Sequence, residues 1–238
     1  MIQSIFYNFH TTQGREGADV SKYKKSLETK QKILDTTAAL VLEIGYANLN
    51  IKDIANHLEM PRSLIYYYYK NLEDIMGELY YDTYHKLSDI TEELCRDKDE
   101  PILELIVKYI LHYRFVIQNA VLRDFFFSRP TYVIQGKDAI RNATYTCFTA
   151  SRKAFEKLRP DASENDLFIF IITCDTLMHT LFKGLANGVL SMSLRDVILY
   201  FVKCSVMINF SVTKEEMERI VDEAFALTDT VPMALSAI

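Results

Sequence analysis

Between Ile51 and Ile75 the chain reads IKDIANHLEMPRSLIYYYYKNLEDI, and this spacing leaves few local folds open. Ile51, Ile54, Ala55 and Leu58 recur at i, i+3, i+4 and i+7, one apolar stripe on a two-turn helix. Asn50, with Asp53 three residues on, supplies an N-cap and a first-turn carboxylate. Glu59-Met60-Pro61 breaks that helix, and Pro61 is placed to open the next, where a missing N–H costs nothing. In the second helix, Arg62 to Tyr69, Ile65 and Tyr69 are four apart and can face inward together. Arg62, Ser63, Tyr66, Tyr67 and Tyr68 are left for other faces. Tyrosine hydroxyls can donate to phosphate oxygens while the ring bodies pack on sugars or thymine methyls. A helix, a tight turn and a polar second helix make up the helix-turn-helix unit that reads DNA. A helical hairpin whose tyrosines are half-buried packing is the alternative that this stretch alone leaves open.

The residues Ile54-Ala55, Leu58, Ser63-Leu64-Ile65-Tyr66-Tyr67-Tyr68-Tyr69 and Asn71-Leu72-Glu73-Asp74-Ile75, taken as a set, extend the pattern. Ahead of them stand Ile33-Leu34, Ala38-Ala39, Leu40, Glu43, Gly45 and Tyr46. Over roughly Lys30 to Leu79 this resembles the N-terminal domain of tetracycline-repressor-type (TetR/AcrR) transcriptional regulators. There an "IA" helix leads through a tight turn to an "LY-x-x-F" recognition helix and then to a capped helix. The resemblance implies that Lys52, Arg62, Ser63 and Tyr66 read bases, with Arg62 suited to guanine. It implies that Asn50, Tyr67, Tyr68 and Lys70 hold phosphates. Three positions depart from the family pattern. Glu59 stands where a turn glycine is usual, so the turn either avoids positive φ or strains a side chain. Leu64 replaces a small residue, and Leu72 replaces a phosphate-binding lysine. Leu72 starts an apolar stripe with Ile75, Met76 and Leu79, which assigns it to packing. Lys70, or backbone N–H groups at a helix start capped by Asn71, could stand in for the lysine.

The rest of the chain reads as helix. Only 7 Gly and 5 Pro occur in 238 residues, which favours long helices with short connections. Helix 1 is expected from about Leu27 to Ile44, with Ile33, Thr37, Leu40, Val41 and Ile44 on one side and Gly45 as C-cap. A helix after Asn71 continues to about Leu94 and ties the reading unit to the remainder of the protein. The charged break Arg96 to Pro101 is the candidate boundary. Beyond it, helices are expected over Ile102–Gln118, Ala120–Phe127, Val133–Leu158, Glu164–Gly184, Leu194–Phe210 and Lys214–Leu227. Ser163 with Asp166 and Thr213 with Glu216 cap two of them. No strand-like alternation and no fixed-period repeat appear. The expected fold is all-α, with an extension over 1–26, a helix-turn-helix domain over 27–75 and a helical ligand-binding and dimerisation domain over 76–238.

Most aromatic side chains of the second half belong in a core. A bundle lined by Tyr, Phe, Met and a few polar tips is also how a pocket for an apolar or aromatic small molecule is built. Tyr109, Tyr113, Phe148 and His179 are the candidate lining residues. Asp175 and His179, four apart on an otherwise apolar helix, could share a ligand. With no third ligand in reach they read as a core pair or polar seam, and no metal or cofactor is expected. The helices over 164–184 and 194–210 are apolar on more than one face. Meeting their symmetry mates they would form a dimer interface, as in the family, and a two-fold dimer would read a near-palindromic operator.

Other classes are less well supported. Phosphate-loop, GxSxG and HExxH motifs are absent, which weighs against an enzyme. Cys95, Cys147, Cys174 and Cys204 form no CxxC pair and read as buried thiols in a reducing cytoplasm. No charge-free run of about 18 apolar residues suggests a membrane partner. Residues 1–14 lack Lys and Arg and make a poor signal peptide. Arg15 and Lys22-Tyr23-Lys24-Lys25 are either an arm to the adjacent groove or a solvated helix start. The expected function is a ligand-responsive regulator, most readily a repressor, released from operator DNA by a small apolar or aromatic effector. A ligand- or partner-binding protein with a decayed DNA-reading head is the alternative.

The net charge is −5, and residues 15–75 carry nine Lys/Arg against nine Asp/Glu. Binding to DNA would then rest on few phosphate contacts plus specific docking. The logarithm of operator affinity should fall with the logarithm of salt concentration with a slope of only about −3 to −5, at roughly −0.9 per neutralised phosphate. Titrations at several salt concentrations check this, and a slope near −10 would contradict it.

Overall fold

Residues 18–128 and 146–231 are described by the structure, a computed structural model, and among them no strand occurs. The side chains of residues 18–22, 81 and 146–149 are outside the description. The order is α1 (Ala18–Ile44), a 3-10 turn (Tyr46–Asn48), α2 (Ile51–His57), α3 (Arg62–Tyr68), α4 (Leu72–Leu94) and α5 (Pro101–His112). Then come α6 (Ala120–Ser128), α7 (Thr146–Leu158), α8 (Glu164–Ala186), α9 (Leu194–Phe201) and α10 (Lys214–Asp229). A π-helical stretch extends α5 over Tyr113–Ile117, and another extends α9 over Val202–Val206, followed by a last helical turn at Met207–Asn209.

Helix ends follow their capping chemistry. Asn50 accepts from the Lys52 and Asp53 N–H groups while Asp53 accepts from the Asn50 N–H, so both sides of the capping box close. Ser163 with Asp166 and Thr213 with Glu216 form the expected boxes, and Ser193 with Asp196 forms another, at the start of α9. Pro101 sits in the first turn of α5, where its missing N–H is harmless.

Helix α1 starts at Ala18, not near Leu27. The Lys22–Lys25 cluster therefore lies within the helix and not ahead of it, because nothing between Ser21 and Leu27 breaks a helix once the downstream turns have nucleated it. Ile33, Thr37, Leu40 and Val41 are buried as the stripe requires. Ile44, at the end of α1, stays 37% exposed. Of the helix expected over 133–158, the part before Thr146 lies outside the described residues, as do residues 1–17 of the expected N-terminal extension.

The core is organised by two helices. α5 is buried on every side, and only Pro101 and Glu104 among its residues keep appreciable exposure. It packs on α4, α7 and α10, which is why its sequence is mostly apolar and why even its polar stripe, Glu104, Lys108 and His112, is drawn toward the interior. α4 is 23 residues long, about 35 Å at 1.5 Å per residue, and packs against α1, α5 and α6. Its Ile75, Met76 and Leu79 close the core under α1, while Tyr80, Tyr84 and Leu87 face the second half. Burying each such side chain stabilises by about 1.5–3 kcal/mol. The Arg96–Pro101 turn is held by exposed ion pairs, Lys157 to Asp99, Arg219 to Glu100 and Lys98 to Glu223. Pairs of this kind contribute about 0–1 kcal/mol each.

α8 has the length and apolar composition of a membrane-crossing helix. Its Leu167, Phe170, Ile171, Cys174, Met178 and Phe182 are nonetheless packed into the protein. Cys95 and Cys174 are buried and Cys204 is half-buried, none of the three in a disulfide, while the Cys147 side chain is outside the description. Burial pushes the Cys95 thiol up to about 11, so it stays protonated and unreactive.

Two predictions arise from local strain and burial. α2 ends in a Schellman motif: the Met60 N–H bonds the Ala55 carbonyl at 2.9 Å and the Glu59 N–H bonds the Asn56 carbonyl at 3.2 Å. This places Glu59 at φ 51, in the left-handed region. Of the two outcomes the sequence allowed, a strained side chain is the one realised. Glu59→Gly should raise stability by roughly 0.5–1 kcal/mol, the relieved strain outweighing the added entropy of the unfolded chain, and denaturant unfolding measures it. Burial pushes Asp175 on α8 up to about 6, above its unfolded value. The folded state thus holds this proton more tightly, and stability falls as pH rises from about 4 through about 6. Asp175→Asn should raise the melting temperature at about pH 7.5 and leave it nearly unchanged at about pH 4.

Candidate nucleic-acid interface and interior polar-aromatic site

The short helices α2 and α3 hold their outward residues by burying the inward ones. Ile51, Ile54 and Ala55 on α2 and Ile65 on α3 are buried, and Tyr69, just past the end of α3, is buried with them. The Lys30 ammonium lies 5.4 Å above the Tyr69 ring and bonds the Glu78 carboxylate at 2.6 Å. α1, the end of α3 and α4 are thereby fastened at one point. Burial and the Glu78 charge push the Tyr69 phenol pKa up, so it remains a neutral ring under the lysine.

What this scaffold presents is one polar-aromatic face. Arg62 and Ser63 open α3 and are exposed, Tyr66 is 53% exposed and Tyr67 78%. Lys52 on α2 and Lys70 beyond α3 are exposed as well. Tyr68 is half-buried against the core, its ring edge-on to Tyr67 with centroids 5.1 Å apart. Tyr68 thus positions Tyr67 in addition to any contact of its own. The Asn50 side-chain oxygen is committed to the α2 cap, which leaves its amide nitrogen as the group that could meet a phosphate. At the start of α4, Asn71 accepts from the Asp74 N–H and Asp74 accepts from the Lys70 N–H. Those two N–H groups are spoken for, and Glu73 and Asp74 make this helix start acidic. Of the two substitutes for the missing lysine at Leu72, the Lys70 side chain is the better placed. Leu72 itself packs against the core, as its stripe requires.

Of the four residues singled out for a ligand site, Tyr109, Tyr113 and His179 have described side chains, and each is set against different rings. Tyr109 is 5% exposed, edge-on to Phe201 at 4.8 Å, and belongs to the core around α5. Tyr113 lies against Phe182 at 5.0 Å. Phe148 falls on α7, with its side chain outside the description. His179 faces a cluster in which Phe126 stands 5.0 Å and Phe127 5.6 Å from its ring. Among the described residues no hydrogen bond or ion pair joins it to Asp175, and no group of three or more His, Cys, Asp or Glu could hold a metal. The pair is not a ligand set, because Asp175 is raised by burial alone.

The residue that sequence reasoning missed is His112. It ends α5, is buried, and its ring meets Tyr84 at 5.0 Å, Phe126 at 4.9 Å and Phe182 at 6.1 Å. Its Nδ1 is 2.9 Å from the Tyr84 hydroxyl. Burial, then the nearby His179 and Lys108, lowers its pKa to about 3, so it is neutral at pH 7. His179 is lowered in the same direction, chiefly by burial. The Nε2 atoms of both rings are buried without a hydrogen-bond partner. The π-helical stretch starts immediately after His112 and rotates the following side chains relative to α-helical register. A lone histidine on an apolar helix gave no warning of this, since the partner histidine is 67 positions away by number.

α6 lies between the two regions. Its Phe126 touches both histidines, and its Phe125 meets Tyr46, beside the DNA-reading unit, with centroids 5.6 Å apart.

Comparison with known proteins respects the same division. Residues 33–79 match the family model described as bacterial regulatory proteins, tetR family. No curated protein matches the sequence. Among solved structures, RolR in complex with resorcinol is similar at TM-score 0.59 and 16% identity, over 84% of this chain and 95% of that one. A gamma-butyrolactone receptor described as ArpA-like gives TM-score 0.49 and 14% identity, over 87% and 99% of the two chains. A TetR-family regulator from Syntrophomonas wolfei str. Goettingen gives 0.46 and 19%, over 86% and 97%. The likeness to RolR is one of fold, and the segment matched by the family model spans α2, α3 and the parts of α1 and α4 that bury them. Residues 33–79 thus resemble the DNA-binding segment of TetR-type regulators, and the all-helical architecture of the chain is similar in fold to RolR.

Proposed function

We propose that the protein is a homodimeric repressor that binds a near-palindromic operator and is released by a small apolar or aromatic effector. The observation that carries this reading is the outward face of α3, where Arg62, Ser63, Tyr66 and Tyr67 are exposed while Ile65 and Tyr69 anchor the helix from beneath. In this reading Lys52, Arg62, Ser63 and Tyr66 meet base edges, and Asn50, Tyr67, Tyr68 and Lys70 meet phosphates. The reading unit is residues 27–75 and the effector-binding and dimerisation unit residues 76–238, acting in the cytoplasm.

The dimer is supported by apolar side chains that the single chain leaves open. Ile169 and Ile172 on α8 and Tyr200 and Ile208 around α9 are exposed, although their helices are otherwise core-packed. A two-fold pairing of these helices would cover them and set the spacing of the two α3 helices. An aromatic effector is supported by the rings around His112 and His179, and RolR, similar in fold, was solved with resorcinol. Binding there would favour a dimer whose reading heads are wrongly spaced, through α4 and α6, which touch both regions.

The other reading, a ligand- or partner-binding protein whose head no longer reads DNA, draws on Glu59 and on the acidic start of α4. Selection from random duplexes separates the two. Enrichment of a two-fold-symmetric site supports the regulator, and no enrichment at low salt supports the decayed head. Arg62→Ala should weaken binding to the selected site by about 1–3 kcal/mol and relax preference at one base pair per half-site. Fluorescence anisotropy on the selected site and its single-base variants measures this, and unchanged affinity would remove Arg62 from the base contacts.

A further inference from the structure

We infer that Lys30 and Glu78 are positioning residues for DNA reading: the ion pair they form beside Tyr69 sets the tilt of α3, and with it the placing of Arg62. This rests on the DNA-reading proposal above and adds to it two residues that meet no base or phosphate themselves.

Helix α3 has few other means of holding its angle. It is seven residues long, and at its start Pro61 makes no side-chain capping bond. Beneath it Ile65 and Tyr69 are buried, and Leu64 and Tyr68 are half-buried. Apolar burial is non-directional, so these contacts decide which face is turned inward and leave the tilt soft. The directional contact is at the Tyr69 end. There the Lys30 ammonium, from α1, bonds both oxygens of Glu78, from α4, at 2.6 Å and lies 5.4 Å from the centre of the Tyr69 ring. From Tyr69 back to Arg62 the lever is about 10 Å, at 1.5 Å per residue. A tilt of roughly 10° over that lever moves Arg62 by roughly 2 Å, well outside the ~0.5 Å within which a binding constellation has to be held.

The charges around the pair show why both partners are needed. Asp82 stands one turn beyond Glu78 on α4. Burial and the Glu78 charge hold its carboxyl above the usual carboxylate range, opposed by Lys86, His85 and Lys30. Both carboxylates also act on the Tyr69 phenol. Lys30 is therefore the cation from α1 that faces two acids of α4. Without it the two acids repel each other beside Tyr69, and without Glu78 the lysine loses what holds it over the ring. The Lys30 and Glu78 side chains are 34% and 29% exposed, so the pair adds little to stability. Its loss should appear in DNA binding and not in folding.

The test uses the full-length protein, a duplex enriched from the random pool and an unrelated duplex of equal length. Lys30→Met and Glu78→Gln are each compared with the unaltered protein by fluorescence anisotropy at several salt concentrations. Each should weaken binding to the enriched duplex by about tenfold, the size of one misplaced base contact. Affinity for the unrelated duplex and the salt slope should stay unchanged. The double variant should bind no worse than either single one, since both changes break the same contact. Melting temperatures should move by no more than about 4 °C. If Lys30 met a phosphate instead, Lys30→Met would weaken both duplexes alike and lower the salt slope by about one. That result would overturn the inference, as would additive losses in the double variant, a larger fall in melting temperature, or unchanged affinity for the enriched duplex. The selection is run first with the unaltered protein. No enrichment removes the DNA-reading proposal and this inference with it, whereas enrichment followed by full affinity in the variants removes this inference alone.

Discussion

The structure depends on the burial of α5. A helix with ten of its twelve residues buried needs neighbours on every side, and α4, α7 and α10 are those neighbours. The polar groups it carries inward need partners there, and Glu104 meets Lys153 while His112 meets the Tyr84 hydroxyl. α4 is therefore fixed along part of its length by the second half of the chain. Its Ile75, Met76 and Leu79 are fixed by α1 in turn. The two regions share one rigid element and not a flexible linker, so the orientation of α3 is set partly by packing far from it.

Within the reading unit, energetic weight and functional exposure are separated residue by residue. Ile54 and Ile65 are fully buried and hold α2 against α3. The two helices have seven residues each and would not persist alone in water. The Asn50 box, the Schellman turn at Glu59 and the Lys30–Tyr69–Glu78 cluster close their ends. Arg62, Ser63, Tyr66 and Tyr67 are thereby freed from any structural duty. Tyr68 and Asn50 are the exceptions, each supporting its helix while turned toward the same face. Glu59 shows that local strain is tolerated when six-to-one and five-to-two hydrogen bonds over-determine the turn.

Much of the fold was legible because helix signals are local. Apolar periodicity placed α2, α3, α4 and α8 within a few residues of their observed ends, and Ser or Thr three residues before Asp or Glu marked true helix starts. The candidate DNA-reading residues were legible for the same reason, since α3 spans two turns and its inward positions are few. The start of α1 was misjudged because the polar stretch Ser21–Ser26 carries no periodic apolar signal, while helical propensity and a long downstream helix extend it. The interior site was mostly hidden. Tyr109 and Tyr113 were chosen for their residue type, yet Tyr109 packs into the core against Phe201, while His112, which looked uninformative, meets Phe126 and lies beside His179.

The amino-acid sequence by itself determined the helices, their caps and the face of α3 turned away from its anchor residues, because each depends on neighbours within about four positions. Tertiary structure alone decided that Lys30 reaches Glu78 across Tyr69, that Phe125 and Phe126 touch both regions, and that the rings of His112 and His179 both meet Phe126. Those contacts join residues tens of positions apart, and the π-helical turn after His112 shifts the register on which any periodicity argument rests. Burial then changes the chemistry, since an imidazole that would titrate near neutrality in water is held uncharged inside the protein.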